Sequence, residues 1–141
     1  MNGDVAMSQT AEDRPPVGLL LCDDLIFTSR IVGTARDLGL TVKLARTPES
    51  LVELARQEHP GCVIVDLGFP GLVLTDLLKQ LPDKESRLPR VVAYGSHVDT
   101  ATLRAARAAG CDPVLPRSKF VEELPNVLRQ WLTGRREQSS S

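Results

Sequence analysis

The sequence has almost no net charge. It carries 17 Lys and Arg against 18 Asp and Glu, a balance of −1, so there is no global electrostatic pull toward nucleic acid or an anionic membrane. Long hydrophobic runs are missing too. The longest, around Val17–Cys22, falls far short of the roughly 20 apolar residues that a helical membrane span takes. The opening segment MNGDVAMSQTAEDRPP has neither a basic n-region nor an apolar h-region, so no secretory signal is expected and a cytoplasmic setting is. No CxxC or HxxxH spacing occurs, which argues against zinc. The three cysteines, Cys22, Cys62 and Cys111, are far apart and set in or beside apolar runs; reduced, buried structural thiols are expected. No GxGxxG follows the first apolar run, so a dinucleotide site is disfavoured, and without GxxxxGKS/T a P-loop is excluded. A GxSxG elbow is absent as well. Arg135-Arg136 near the end is too little for a nucleic-acid-binding element.

What is present is an ordinary globular composition, 42% hydrophobic and 25% charged over 141 residues, long enough for one domain with a real core. Residues 1–16 and 134–141 are polar and read as disordered tails, leaving 17–133 as the folded unit. Within it, short apolar runs alternate with helical periodicity. Val17–Asp23 is a continuous apolar run, as in a strand buried on both faces. A helix over 27–38 follows, with Phe27, Ile31, Ala35 and Leu38 on one face and Gly39 at its stop. Leu40–Leu44 alternates and suits a strand nearer the sheet edge. Thr47-Pro48-Glu49 is a helix start, and that helix ends before Pro60-Gly61, with His59 complementing its dipole. Cys62–Asp66 is a third strand, 71–81 a helix, and Arg90–Tyr94 a fourth strand. Asp99 caps a helix that stops at Gly110. Val114–Leu115 centres a short fifth strand, and a last helix runs to about Leu132. Pro125 falls inside that pattern, so the helix either starts or kinks there. Five β–α units in strict alternation imply an α/β fold: a doubly wound, flavodoxin-like, five-stranded parallel sheet of order 2-1-3-4-5.

In such a sheet, ligands bind at the carboxyl ends of the strands, at the switch point between strands 1 and 3. Strand 1 ends in Asp23-Asp24 and strand 3 in Asp66. Three carboxylates in one crevice repel each other and call for compensation. Mg2+ suits them, being a hard ion that takes one or two carboxylates plus waters. It would also neutralise a phosphoryl group attacked by a carboxylate. A flavin phosphate at the same place would be repelled by Asp23-Asp24. The blander reading is that these acids are solvated loop residues or caps, with Asp24 capping the helix that follows.

On these residues the sequence resembles the response-regulator receiver family, the phosphoacceptor half of two-component signalling, over about 17–133. LLLCDD resembles the family's first strand and acid pair. VIVDLGFPG resembles the phosphoacceptor strand and loop, with Pro70 four residues past Asp66. AAGCDPVLPRSKF resembles the segment leading into strand 5. The resemblance implies Asp66 as phosphoacceptor. It further implies Mg2+ held by Asp23, Asp24, Asp66 and the Gly68 carbonyl.

Three positions depart from the family pattern. The Thr or Ser that ends strand 4 is replaced by Gly95, the Lys of strand 5 by Arg117, and the aromatic switch three residues earlier by Val114. Gly95 offers no hydroxyl; it reads either as that loss or as a tight turn. Ser96 is next door, but a one-residue slip faces the other way. Arg117 keeps the charge without being equivalent to lysine. It would form a bidentate pair with Asp66, bind the phosphoryl group, or face solvent. Val114 packs. His97 reads as an exposed loop residue or a phosphate contact.

Two functions compete. One is a receiver in a phosphorelay, accepting a phosphoryl group on Asp66 from a histidine kinase and signalling through a protein partner, without enzymatic turnover. The other is a phosphorylation-independent pseudo-receiver acting as an interaction module. A Mg2+-dependent phosphatase would need a substrate-closing cap, for which there is no room. By the resemblance, helix 4, strand 5 and helix 5 form a partner or homodimer face. Arg104, Arg107 and Arg117–Lys119 make that side basic, unless it is only a solvated face.

Overall fold

A computed structural model describes residues 16–81 and 89–133; of the segments expected as tails, 1–16 and 134–141, all but Pro16 lie outside the described residues. Among the described residues, β1 (Val17–Leu21), β2 (Thr41–Ala45), β3 (Cys62–Asp66), β4 (Arg90–Gly95) and β5 (Val114–Pro116) form one sheet of order β2-β1-β3-β4-β5, every pair parallel. The helices between and after them are α1 (Leu25–Asp37), α2 (Pro48–Glu58), α3 (Leu74–Gln80), α4 (Thr100–Ala108) and α5 (Arg117–Thr133). This is the expected doubly wound fold.

Side chains alternate between the two faces of the sheet, as the strand period of two requires. Leu20, Cys22, Ile64, Val92 and Tyr94 face α1 and α5. Leu19, Leu21, Val63 and Val65 face α2 and α3, while Ala93 and Val114 meet α4. All of β3 is buried, Asp66 included. That is why its sequence runs apolar without a break until the one acid that ends it.

Several boundaries differ from the expected ones, each for a local reason. β1 stops at Leu21, so Asp23 and Asp24 lie beyond the strand, not on it. Asp24 caps α1, its Oδ1 accepting the Phe27 amide at 3.1 Å, which starts the helix at Leu25. α3 begins at Leu74 without a side-chain cap. α5 starts at Arg117, eight residues before Pro125, and runs through it. A helix-interior proline costs about 3 kcal/mol. Phe120, Leu124, Leu128, Trp131 and Leu132 are all buried along that helix, at roughly 1.5–3 kcal/mol each, so burial wins. The same helix lies tight on the sheet's lower edge: a Cβ on Gly61 would meet the Leu132 carbonyl oxygen. His59 is the C-cap of α2 in the left-handed region, φ 51°.

No described helix is long and apolar enough to cross a membrane.

Candidate functional site

The carboxyl ends of β1 and β3 open into a cavity of about 360 Å³ lined by Asp23, Asp24, Asp66, Gly68, Pro70 and Arg117. The three acids expected to share a crevice therefore do so. Their settings differ. Asp66 is 5% exposed, whereas Asp23 and Asp24 are in the open. A buried carboxylate needs partners, and Asp66 has them. Its Oδ1 accepts the Gly68 amide at 2.8 Å and lies 3.8 Å from Nη2 of Arg117. Its Oδ2 faces the Cys22 thiol at 3.8 Å.

Arg117 does not form the bidentate pair with Asp66 that was one of its expected roles. A fork would bring two N–H groups to about 2.7–2.9 Å; here a single 3.8 Å approach is found. The guanidinium lies instead against two aromatic rings, 5.7 Å from the centroid of Phe27 and 5.9 Å from that of Tyr94. Those rings belong to a wall that continues inward. Tyr94 packs on Phe27 and Phe120 at centroid distances of 4.8 and 4.7 Å, and Phe120 stacks on Trp131 at 5.8 Å. The Arg117 side chain is 46% exposed, so its charge is screened and its attraction to Asp66 is worth at most about 1 kcal/mol.

Tyr94 is fully buried. Burial first, then its bond to Cys22 and the nearby Asp66 carboxylate, push its phenol far above the ordinary tyrosine range. It stays protonated and donates to the Cys22 sulfur at 3.2 Å. Burial likewise pushes Cys62 up to about 12 and Cys111 up to about 11. Those two are inert core thiols, as expected. Cys22 was expected to be the same. It is buried and reduced, but it touches the site. The signal was present in the strand period: one residue past β1, Cys22 continues the Leu20 face and falls beside Asp66.

Gly95 is the last residue of β4, paired with Pro116. Its backbone is not in the left-handed region, so no tight turn demands a glycine there. A Cβ would sit 3.4 Å from Leu103 and Leu67, ordinary contact. Gly95 lines a second, smaller cavity of about 80 Å³ together with Ser96, Asp99, Thr102, Leu103 and Arg117. The Ser96 oxygen accepts the Val98 amide and serves the loop. Val114 is buried and packs, as expected, and His97 is exposed. On the basic side, Arg107 donates to the Val114 carbonyl at 3.0 Å, and Lys119 pairs with Glu123 at 3.5 Å.

Among the described residues no group of three or more His, Cys, Asp and Glu side chains stands close enough to ligate a single ion together. Mg2+ does not need such a cage. It keeps several waters and takes one or two carboxylates. Two exposed carboxylates and one buried one around a roomy cavity are an all-oxygen donor set that fits it.

No family model matches the chain. Its sequence is 26% identical over 122 residues to the transcriptional activator protein ExaE of Pseudomonas putida, across 84% of this chain and 56% of that protein, so the chain spans little more than half of that relative's length. Among solved structures, it superimposes on the receiver domain of Francisella response regulator 1452 with a TM-score of 0.68 at 19% identity, covering 83% of this chain and 96% of that one. With the chemotaxis response regulator CheY4 of Vibrio cholerae the score is 0.69 at 16% identity, over 84% and 100%. With the Saccharomyces cerevisiae complex of the histidine phosphotransfer protein Ypd1 and the Ssk1 receiver domain it is 0.63 at 20%, over 81% and 91%. The fold is that of response-regulator receiver domains.

Proposed function

We propose that this chain is a receiver module of phosphorelay signalling, accepting a phosphoryl group on Asp66 and passing that state to a protein partner. The observation that carries this reading is the pairing of one buried, hydrogen-bonded carboxylate with two exposed ones around a single cavity. The buried acid is the nucleophile, held in one orientation by the Gly68 amide. Asp23, Asp24, Asp66 and the Gly68 carbonyl would hold Mg2+, which supplies charge neutralisation for the incoming phosphoryl oxygens. Arg117 stands beside Asp66 Oδ1 and offers N–H donors to the same oxygens. The donor is a phosphohistidine protein, as in the yeast complex named above. There is no turnover of a free substrate.

Incubation with Mg2+ and a small acyl phosphate, followed by intact-mass measurement, tests this. Wild type gains one phosphoryl group and Asp66→Asn gains none. An unmodified wild type, or a label that survives Asp66→Asn, removes the reading.

A second reading is favoured by one specific feature. Arg117 rests on the rings of Phe27 and Tyr94 beside Asp66, so the protein's own side chains supply its place. In this reading the module is a pseudo-receiver, and its partner face is set permanently. Partner binding would then be the same for wild type and Asp66→Asn, and weakened by Arg117→Ala.

A further inference from the structure

The parallel register places three unlike side chains in a row. Leu21 is level with Val65, and Asp66 is level with Tyr94. Cys22, the next residue after β1, therefore stands beside Asp66 on one side as Tyr94 does on the other. All three face α1 and α5, because neighbours in register share a face. The contacts follow from this. The Tyr94 hydroxyl donates to Cys22 Sγ at 3.2 Å. The Cys22 thiol has one proton and two acceptors in reach, the Asp24 carbonyl at 3.5 Å and Asp66 Oδ2 at 3.8 Å. The Asp24 amide also points at the sulfur, 3.4 Å away. Two donors onto one sulfur make its own S–H a better donor, and a carboxylate is a stronger acceptor than a neutral carbonyl.

We propose that Cys22 and Tyr94 are positioning residues for Asp66: the thiol, polarised by the tyrosine hydroxyl, fixes the carboxylate oxygen that the Gly68 amide does not hold. This role rests on phosphoryl transfer to Asp66. With Oδ1 held by Gly68 and Oδ2 by Cys22, the carboxylate cannot rotate freely about its Cβ–Cγ bond. An oxygen of Asp66 forms its bond to phosphorus while the bond from phosphorus to the donor breaks, at the imidazole nitrogen of a phosphohistidine or the carboxylate oxygen of an acyl phosphate. The leaving atom keeps the electron pair, and neither Cys22 nor Tyr94 gives up its proton. Tyr94 serves the other charge as well, since its ring carries the Arg117 guanidinium. One buried side chain thus sets the place of both the nucleophile and the cation opposite it.

The test measures labelling rates with Mg2+ and a small acyl phosphate across a range of donor concentrations. In Cys22→Ala the maximal rate falls about tenfold, the scale of one hydrogen bond to a charged group, with the half-saturating donor concentration unchanged. Cys22→Ser, which restores a donor, recovers most of the rate. Tyr94→Phe keeps the ring and loses only the hydroxyl; its maximal rate falls about threefold, a network effect smaller than direct loss of the donor. Wild-type rates in both Cys22→Ala and Tyr94→Phe overturn the role. A second readout needs no phosphoryl transfer. The Asp66 side-chain carboxyl carbon and the Gly68 amide shift by NMR in Cys22→Ala and return toward wild type in Cys22→Ser. If only the Asp24 resonances move, the thiol serves the loop and the role is wrong. If wild type takes no label yet these shifts appear, the phosphoacceptor reading fails while the positioning contact stands.

Discussion

Along the β1–β3 side of the crevice the side chains are carboxylates, two exposed and one buried; along the β4–β5 side they are a glycine, a serine engaged with its own loop, and an arginine laid on aromatic rings. The first side has one buried, hydrogen-bonded carboxylate beside two exposed ones. The second has Gly95 at the end of β4 and a packed Val114 in β5, where the resemblance to receivers implies a hydroxyl and an aromatic. Tyr94, near the end of β4, is buried and wedged between Phe27 and Phe120. The acid side and the β4–β5 side are thus separate pieces of construction, and under the proposed function they divide accepting a group from reporting it.

The largest effect tests how firmly the reporting side is fixed. Tyr94→Ala empties the centre of the aromatic wall and removes the surface under Arg117. A loss of about 3–5 kcal/mol is expected, as for other large aromatic-to-alanine core changes, read by chemical denaturation. A loss below about 1 kcal/mol would mean that the wall collapses freely around the gap.

Alkali should weaken the fold through its buried thiols and phenol. The folded-state values of Cys62, Cys111 and Tyr94 are raised by burial, so the unfolded chain loses those protons first. Their stabilisation is complete below about pH 8.5, where thiols of the unfolded chain are still protonated. It declines as pH rises toward the folded-state values, about 12 for Cys62. Each such group adds a slope of about −1.4 kcal/mol per pH unit within its window. Denaturation midpoints measured from pH 7 to 11 check the sign; a midpoint that rises above pH 9 would contradict it.

Gly95→Thr restores a hydroxyl at the end of β4. The contacts open to its Cβ are ordinary ones, and glycine in a strand is costly. Stability should rise by about 0.5–1 kcal/mol. With Mg2+ and beryllofluoride present, amide shifts should spread further into β4 and α4 than in wild type. A destabilised variant would show that the 80 Å³ cavity is needed as it stands.

Smallest is Arg117→Ala. The half-exposed cation contributes a screened pair and a partly solvated ring contact, together worth about 1 kcal/mol or less. A similar change in Lys119–Glu123, also exposed, is expected to be within about 0.5 kcal/mol.

Much of this architecture was legible in the sequence. Apolar runs of strand length, each followed by helical periodicity, left one reasonable sheet order, and the acids at the ends of two runs marked the crevice. Where reading failed, long-range packing had outvoted a local signal. Pro125 is a breaker by its own chemistry, yet five buried residues on the same helix face carry the helix through it. Gly95 looked like a turn, but its backbone is ordinary strand. Arg117 has three roles open to it by sequence; it does approach Asp66, but with one nitrogen at 3.8 Å, because the rings it lies on come from residues 27 and 94. Cys22 was classed with the other thiols by composition. Only the pairing of β1 with β3 and β3 with β4 sets it against Asp66.

The contrast between the two sides is tested most directly by amide chemical shifts of the wild-type protein with Mg2+ and beryllofluoride, a mimic of the bound phosphoryl group. The account predicts large shifts at Asp23, Asp24, Asp66–Gly68 and Arg117, which line one cavity, and small ones at Val114 and Leu115 of β5. Silence at Asp66 and Gly68 would contradict it.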